Sequence, residues 1–238
     1  MASKDMHYEI HTLPRSINDA EKWSQLRDKL KILRLKSLQQ DPEAFSSTYA
    51  EEVKFSNEIW EKRMTNSLAV QLVAVERHSK TESDIPPEEI SALLSGDWLG
   101  GLVLIGPKED ASRSPGESLS SESTPSSAID GEHASTPVYE LNAVFVVPEA
   151  RGLGLGRKLV DAAMQVGISL AKDQGFRAIR VQVRVDTDNR PARMLYRSGG
   201  YVDRKVETYT SKEKEKDGVK IPSTMRAYIV MERLEELS

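Results

Sequence analysis

Residues 151–157 read RGLGLGR, with Lys158 next in the chain. Glycines at 152, 154 and 156 let the backbone approach a ligand with no Cβ in the way. Arg151, Arg157 and Lys158 add positive charge. Between a strand and a helix, such a stretch combines those cations with unpaired helix N–H groups and the positive end of the helix dipole. That chemistry suits a pyrophosphate. Three readings compete. A dinucleotide fingerprint needs G-x-G-x-x-G, but the third position after Gly154 is Arg157, and no acidic residue closes a strand at the right distance. A phosphate-cradling loop of the G-x-x-x-x-G-K-[ST] kind needs a Lys-Ser or Lys-Thr that does not follow. Plain punctuation of a strand–helix junction is the third reading. The stretch alone leaves the phosphate seat and the simple turn both open.

The surrounding elements must place it. Residues 6–14 alternate weakly and stop at Pro14, as a first strand. Asn18 followed by Glu21 marks a helix start, and the helix over 18–40 carries Trp23, Leu26, Leu30, Leu33 and Leu38 on one face. A second helix is expected over 51–66, with Val53, Phe55, Ile59, Trp60 and Met64 as core contacts. Residues 68–77 and 98–106 read as paired strands, with a short helix from Pro86 and Pro87 to Gly96 between them. Strand 138–147, stopped by Pro148, leads through the glycines into a helix over 154–175 that Gly175 closes. Strand 177–185, helix 189–200 and strands 201–210 and 224–234 complete the chain. Strands on either side of the helix after the glycines suggest a parallel β–α–β unit within a mixed sheet. The linker SKEKEKDGVK between the last strands is charged and long, and reads either as a solvated flap or as a segment folded over a substrate.

The whole 238-residue chain is expected to form a single domain. Residues 107–137 differ in kind. They hold nine serines and almost no large apolar side chain, so they are read as a disordered insertion that cannot bury enough surface to offset chain entropy. A net charge of −4 argues against a nucleic-acid partner. The chain has no cysteine, which excludes a disulfide scaffold, a thiol nucleophile and a cysteine zinc site. The first residues carry no apolar run of the signal-peptide type, and no segment is apolar over the length of a membrane helix, so a cytoplasmic protein is expected, a nuclear one being compatible. His7, His11, His78 and His133 show no metal spacing, and no metal is expected.

Two segments in register resemble one family. VFVVPEARGLGLGRKLV is similar to the acetyl-CoA signature of the GNAT superfamily of N-acetyltransferases, through Arg151, Gly154 and Gly156. NRPARMLYRSGGY resembles a second motif of that family, through Asn189, Ala192, Leu195, Tyr196, Gly200 and Tyr201. LRLKSLQQDPEAF is a softer match to the junction of the first two helices. The resemblance implies an α/β fold with a mixed, mostly antiparallel seven-stranded sheet, helices on both faces, and a splayed parallel pair formed by the fourth and fifth strands. It implies acetyl-CoA as co-substrate. The pantetheine arm would pair with the backbone of Val144, Phe145 and Val146 and touch the side chain of Asn189. The pyrophosphate would rest on Arg151, Gly152, Leu153, Gly154, Leu155, Gly156 and Arg157.

In that frame Tyr196 is the expected general acid. An amine attacks the thioester carbonyl, the tetrahedral intermediate expels a thiolate, and a phenol can hand that sulfur a proton. A base must take the proton of the amine. The glutamate that serves in relatives acetylating protein N-termini would fall at Gln182 or Arg184, so it is missing here. Glu140 is the expected alternative, with Asp186 and Asp188 weaker, and a solvent-facing strand residue is the plainer account of Glu140. Acceptor specificity is expected from Ser46 to Tyr49 and from the charged linker. The acceptor is read as a small-molecule amine, with a peptide amine as the alternative; monomer and homodimer are both compatible. A non-catalytic acyl-CoA-binding module and a nucleotide-dependent dehydrogenase are the rival classes.

Overall fold

The computed structural model describes residues 7–77, 89–108 and 136–237. The Ser-rich stretch 109–135, with His133, and residues 78–88, with His78, Pro86 and Pro87, lie outside the described residues. The elements are β1 (Tyr8–Thr12), α1 (Ala20–Gln40), α2 (Tyr49–Glu52), α3 (Asn57–Thr65), β2 (Ala69–Glu76), α4 (Glu89–Ser95), β3 (Trp98–Lys108), β4 (Val138–Val146), α5 (Leu155–Asp173), β5 (Ala178–Asp186), α6 (Arg190–Ser198), β6 (Val202–Thr210), β7 (Lys214–Lys216), β8 (Val219–Ile221) and β9 (Met225–Glu236).

Seven strands form one sheet in the order β1-β2-β3-β4-β5-β9-β6. Each neighbouring pair is antiparallel except β4 and β5, which run parallel through the crossover helix α5. A parallel pair needs such a crossover, because a tight turn cannot return the chain to the same end of the sheet. Alternation along β3 puts helices on both faces. Gly101, Val103 and Ile105 line a cavity beneath α1, while the Leu104 side chain meets α5 at Gly167. The expected sheet and its two helical layers are therefore present.

Local chemistry corrects several boundaries. Asp19, one residue past the expected start, caps α1 by accepting from the backbone N–H groups of Glu21 and Lys22 at 3.0 Å each. The helix expected over 51–66 is two helices. Thr48 and Glu51 form a reciprocal capping box around α2, the chain turns at 53–56, and α3 starts afresh after Ser56. Trp60 and Met64 enter the core as expected, whereas Val53 and Ile59 are exposed. At the insertion, Pro107 and Lys108 belong to β3. The charged linker is neither a bare flap nor a loose loop. It contains the β7–β8 hairpin, turned by Asp217 (φ 52°) and Gly218 (φ 78°). Two successive positive φ values are what an Asp-Gly turn supplies to a hairpin, a signal present in the sequence and missed.

Candidate active site

The gap between β4 and β5 begins at a defined place. Their ladder runs from Val138–Arg180 to Leu141–Val183 and stops, although β4 continues to Val146 and β5 to Asp186. Beyond Leu141 the β3–β4 register slips by one residue, and Ala143 sits at φ 53°, an unusual conformation for an alanine. The bulge bends β4 away from its parallel neighbour. Residues 142–146 therefore present an open backbone edge toward β5, on which Val144 and Phe145 lie. The Val146 carbonyl accepts from Arg151 Nε at 2.9 Å, which ties the end of β4 to the glycine loop.

The glycine stretch lies at the N-terminus of α5, at the end of β4. Gly154 caps the helix at φ 76°, Gly152 has φ 81°, and a Cβ at either would meet nothing within 4 Å. Glycine is thus required by the left-handed turn rather than by crowding. The first helical bond runs from Lys158 N–H to the Gly154 carbonyl at 3.1 Å, which leaves the N–H groups of Leu155, Gly156 and Arg157 without an intrahelical acceptor. Residues 151–154, Leu153 among them, are exposed, so the N–H cluster opens outward. Arg151 is ion-paired with Asp41, and Arg157 is ion-paired with Asp161 at 2.8 Å and bonded to Ser198, so both guanidiniums also brace the loop. Beside these cations, the loop offers an anion backbone N–H groups and the helix dipole.

Helix α6 carries the second motif. Asn189 caps it, its Oδ1 accepting from Ala192 N–H at 3.1 Å. Tyr196 follows two turns later, is 3% exposed, and packs edge-on against Tyr201 with ring centroids 5.6 Å apart. Burial, then the neighbouring Tyr201, pushes the Tyr196 phenol well above its ordinary range, so it is protonated throughout the physiological range. Asn189, Ala192 and Tyr196 line the same cavity as Asn142–Phe145. The fold thus brings the two motifs to one opening.

That cavity has a volume of about 790 Å³ and reaches from the β4–β5 gap to the space beneath α1 and α3. Glu140 lines it, 7% exposed rather than solvent-facing, with its carboxylate ion-paired to both Lys108 and Arg184. Asp186 is held by Arg226 at 2.8 Å and by the Tyr209 hydroxyl at 3.1 Å, while Asp188 is exposed. Deeper in, Glu52 is 1% exposed and takes a fork from Arg34 (3.1 and 2.8 Å) and a bond from Arg63 at 2.7 Å. Burial alone would raise the Glu52 carboxyl, but the hydrogen bonds and charges of the two arginines bring it down to about 2. The Arg63 guanidinium stacks over Trp60 at 4.7 Å and Phe55 at 5.0 Å, and Arg34 over Phe45 at 4.8 Å. Sequence reading missed this trio. Its signal was Arg34 and Ser37 at i+4 and i+7 from Leu30, polar residues on the apolar stripe of α1.

The hairpin segment is tied to the α1–α2 segment, where Ser46 and Ser47 line the cavity. Lys212 pairs with Glu51 at 2.7 Å, and Arg226 pairs with Glu43 at 3.0 Å. Lys214, 7% exposed, donates to the carbonyls of Pro42 (2.7 Å) and Phe45. Burial, and secondarily Arg226, lowers the Lys214 ammonium. Among the described residues no group of three or more metal-ligating side chains converges, and no helix is long and apolar enough to cross a membrane.

The parallel pair opens at the β-bulge, and the N-terminus of α5 follows the end of β4. Residues 101–201 match the model of the acetyltransferase (GNAT) family. Relatives are similar over part of the chain, and solved structures share its fold. A mycothiol acetyltransferase of Arthrobacter sp. (strain FB24) is 31% identical over 127 residues, 52% of this chain and 35% of that one. A second, from Thermomonospora curvata, is 43% identical over 65 residues, 27% of this chain and 20% of that one. The chain thus spans about a third or less of the length of these curated relatives. The GNAT-family acetyltransferase of Streptococcus pneumoniae has the same fold, with TM-score 0.54, 17% identity, and 96% of this chain and 99% of that chain covered. Arabidopsis thaliana NAA60, solved in complex with acetyl-CoA, superposes with TM-score 0.54 at 14% identity, covering 95% of this chain and 98% of that one.

Proposed function

We propose that the chain is an acetyl-CoA-dependent N-acetyltransferase that moves an acetyl group to a primary amine by direct attack in a ternary complex. The observation that carries the reading is the end of the β4–β5 ladder at Leu141–Val183, on a β4 that leads into a helix whose first N–H groups, at residues 155–157, have no intrahelical acceptor. Bound acetyl-CoA supplies the thioester and its thiolate leaving group. The residues at hand fit it: an open strand edge for an amide-bearing arm, and backbone donors with a helix dipole for a diphosphate. Val144 and Phe145 hold the arm by strand addition, and Gly152–Arg157 seat the diphosphate.

Backbone N–H groups of the β4 edge polarise the acetyl carbonyl as the amine nitrogen bonds to its carbon. Tyr196 donates a hydrogen bond, then its proton, to the sulfur as the C–S bond breaks. Because burial raises the phenol, hydrogen-bond stabilisation of the developing thiolate precedes full transfer, and solvent returns the proton afterwards. Glu140 is the acceptor for the amine proton, since it lines the cavity on β4 itself and Lys108 and Arg184 fix its position. The acceptor is a small molecule. The strap of β7 and β8 is anchored by Lys212 and Lys214 to the segment that carries Ser46 and Ser47 of the cavity lining, which supports a closed rather than a peptide-wide entrance.

Acetyl-CoA is expected to raise the melting temperature, as a native-state ligand must. Tyr196→Phe should keep that rise and lose turnover. No rise with acetyl-CoA would sink the reading.

A further inference from the structure

The deep lobe of the cavity has an unbalanced charge and an unmet donor. Four carboxylates line the cavity: Glu43, Glu52, Glu140 and Asp186. Each is held by at least one cation: Glu43 and Asp186 share Arg226, and Glu140 has Lys108 and Arg184. Glu52 faces two guanidiniums, so the Arg34–Glu52–Arg63 trio carries one net positive charge. Glu43 and Asp186, sharing the single Arg226, keep one net negative charge between them, so the positive excess of the trio stands apart from them.

The geometry of Arg34 sharpens this. Its Nε and Nη2 fork onto Glu52, and that carboxylate also accepts from Arg63, so Glu52 has no further use for the rest of the Arg34 guanidinium. Arg34 Nη1 is buried and has no hydrogen-bond partner among the described residues. A buried guanidinium donor left unpaired costs free energy that a bound acceptor group would recover. The remaining lining of this lobe is mostly apolar, including Leu30, Leu33, Val103 and Ile105. A rigid cation with one free edge beside an apolar wall is the complement of an amphipathic acid.

We infer that the acetyl acceptor is an amino acid-like amine, with an apolar body along the α1–β3 wall and a carboxylate taken by Arg34. This rests on the acetyltransferase reading above. Arg34 is the specificity residue, and Glu52 and Arg63 are positioning residues that hold its guanidinium.

The test compares matched pairs in a thiol-release assay with acetyl-CoA: L-leucine against isoamylamine, L-phenylalanine against phenethylamine, and 4-aminobutyrate against propylamine. At least one acid should exceed its decarboxylated partner by about tenfold or more in kcat/KM, the worth of one charge-assisted contact. In Arg34→Gln that ratio should fall toward one, chiefly through KM for the acid. Arg34→Lys, which keeps the charge but not the fork, should give an intermediate ratio. Taking the ratio within each variant cancels any loss of folded protein. Equal turnover of acids and amines by the wild type, as when a water satisfies Nη1, overturns this inference and leaves acetyl transfer standing. No turnover of any amine contradicts both, and the acetyl-CoA melting shift then tells whether the cleft reading survives.

Discussion

Leu141 and Val183 are the last residues to face each other across the parallel ladder, and the next residues of β4 turn away through the Ala143 bulge. The separation is a local backbone property, set by one extra residue opposite β3. It creates an unpaired strand edge inside the sheet, which is costly unless something pairs with it. A donor arm that adds itself as a partial strand satisfies that edge.

Gly154 tests the seat above the gap. At φ 76° an alanine is strained, so Gly154→Ala should lose about 1 kcal/mol, a fall of roughly 2–4 °C in melting temperature for a chain of this length. Gly154→Glu should lose the acetyl-CoA melting shift as well, because its carboxylate would oppose the diphosphate. Calorimetry with and without acetyl-CoA separates the two effects. An intact shift in Gly154→Glu would place the diphosphate elsewhere.

Tyr196→Phe should lower kcat by about 10²–10⁴-fold, the usual worth of general acid catalysis, with the acetyl-CoA melting shift retained. Since burial raises the phenol, its deprotonation cannot produce an alkaline fall in rate near pH 8–9. A variant as fast as wild type would remove Tyr196 from the chemistry.

Much of this was legible in the sequence. The glycine turn into α5 and the capped helix from Asn189 to Tyr196 were legible, because backbone freedom and helix caps leave strong local signatures. Glu52, Arg34 and Arg63 were not legible: they lie on three separate segments, and only tertiary packing brings one carboxylate between two guanidiniums. The same holds for the pairing of Arg151 with the distant Asp41. The β7–β8 hairpin was legible through Asp217-Gly218, but composition drew attention to its charges instead.

Glu52 should govern acid stability. Its carboxyl is held near 2 against an ordinary 4.5, so its contribution is present above the unfolded value and is lost as pH falls through about 2. A shift of that size is on the order of 3 kcal/mol. Glu52→Gln should therefore be less stable than wild type at pH 7, and the gap should close as the pH is lowered from about 5 to 2. Urea melts across that range check the sign, and a constant gap would contradict the pairing.

Lys214 anchors the strap. Lys214→Met keeps the aliphatic stem and removes the donor, leaving the carbonyls of Pro42 and Phe45 without it. The expected result is a loss of about 1–3 kcal/mol in stability and a raised KM for the amine, with acetyl-CoA affinity little changed. Equal effects on both substrates would argue that the strap supports the whole cleft rather than its acceptor side.

Release of free CoA thiol by the purified chain, measured with acetyl-CoA in the presence and absence of a primary-amine panel, tests the central claim most directly. The account predicts amine-dependent release that Tyr196→Phe suppresses while acetyl-CoA still binds. Binding of acetyl-CoA with no amine-dependent release would contradict it and leave a cleft that holds the donor without using it.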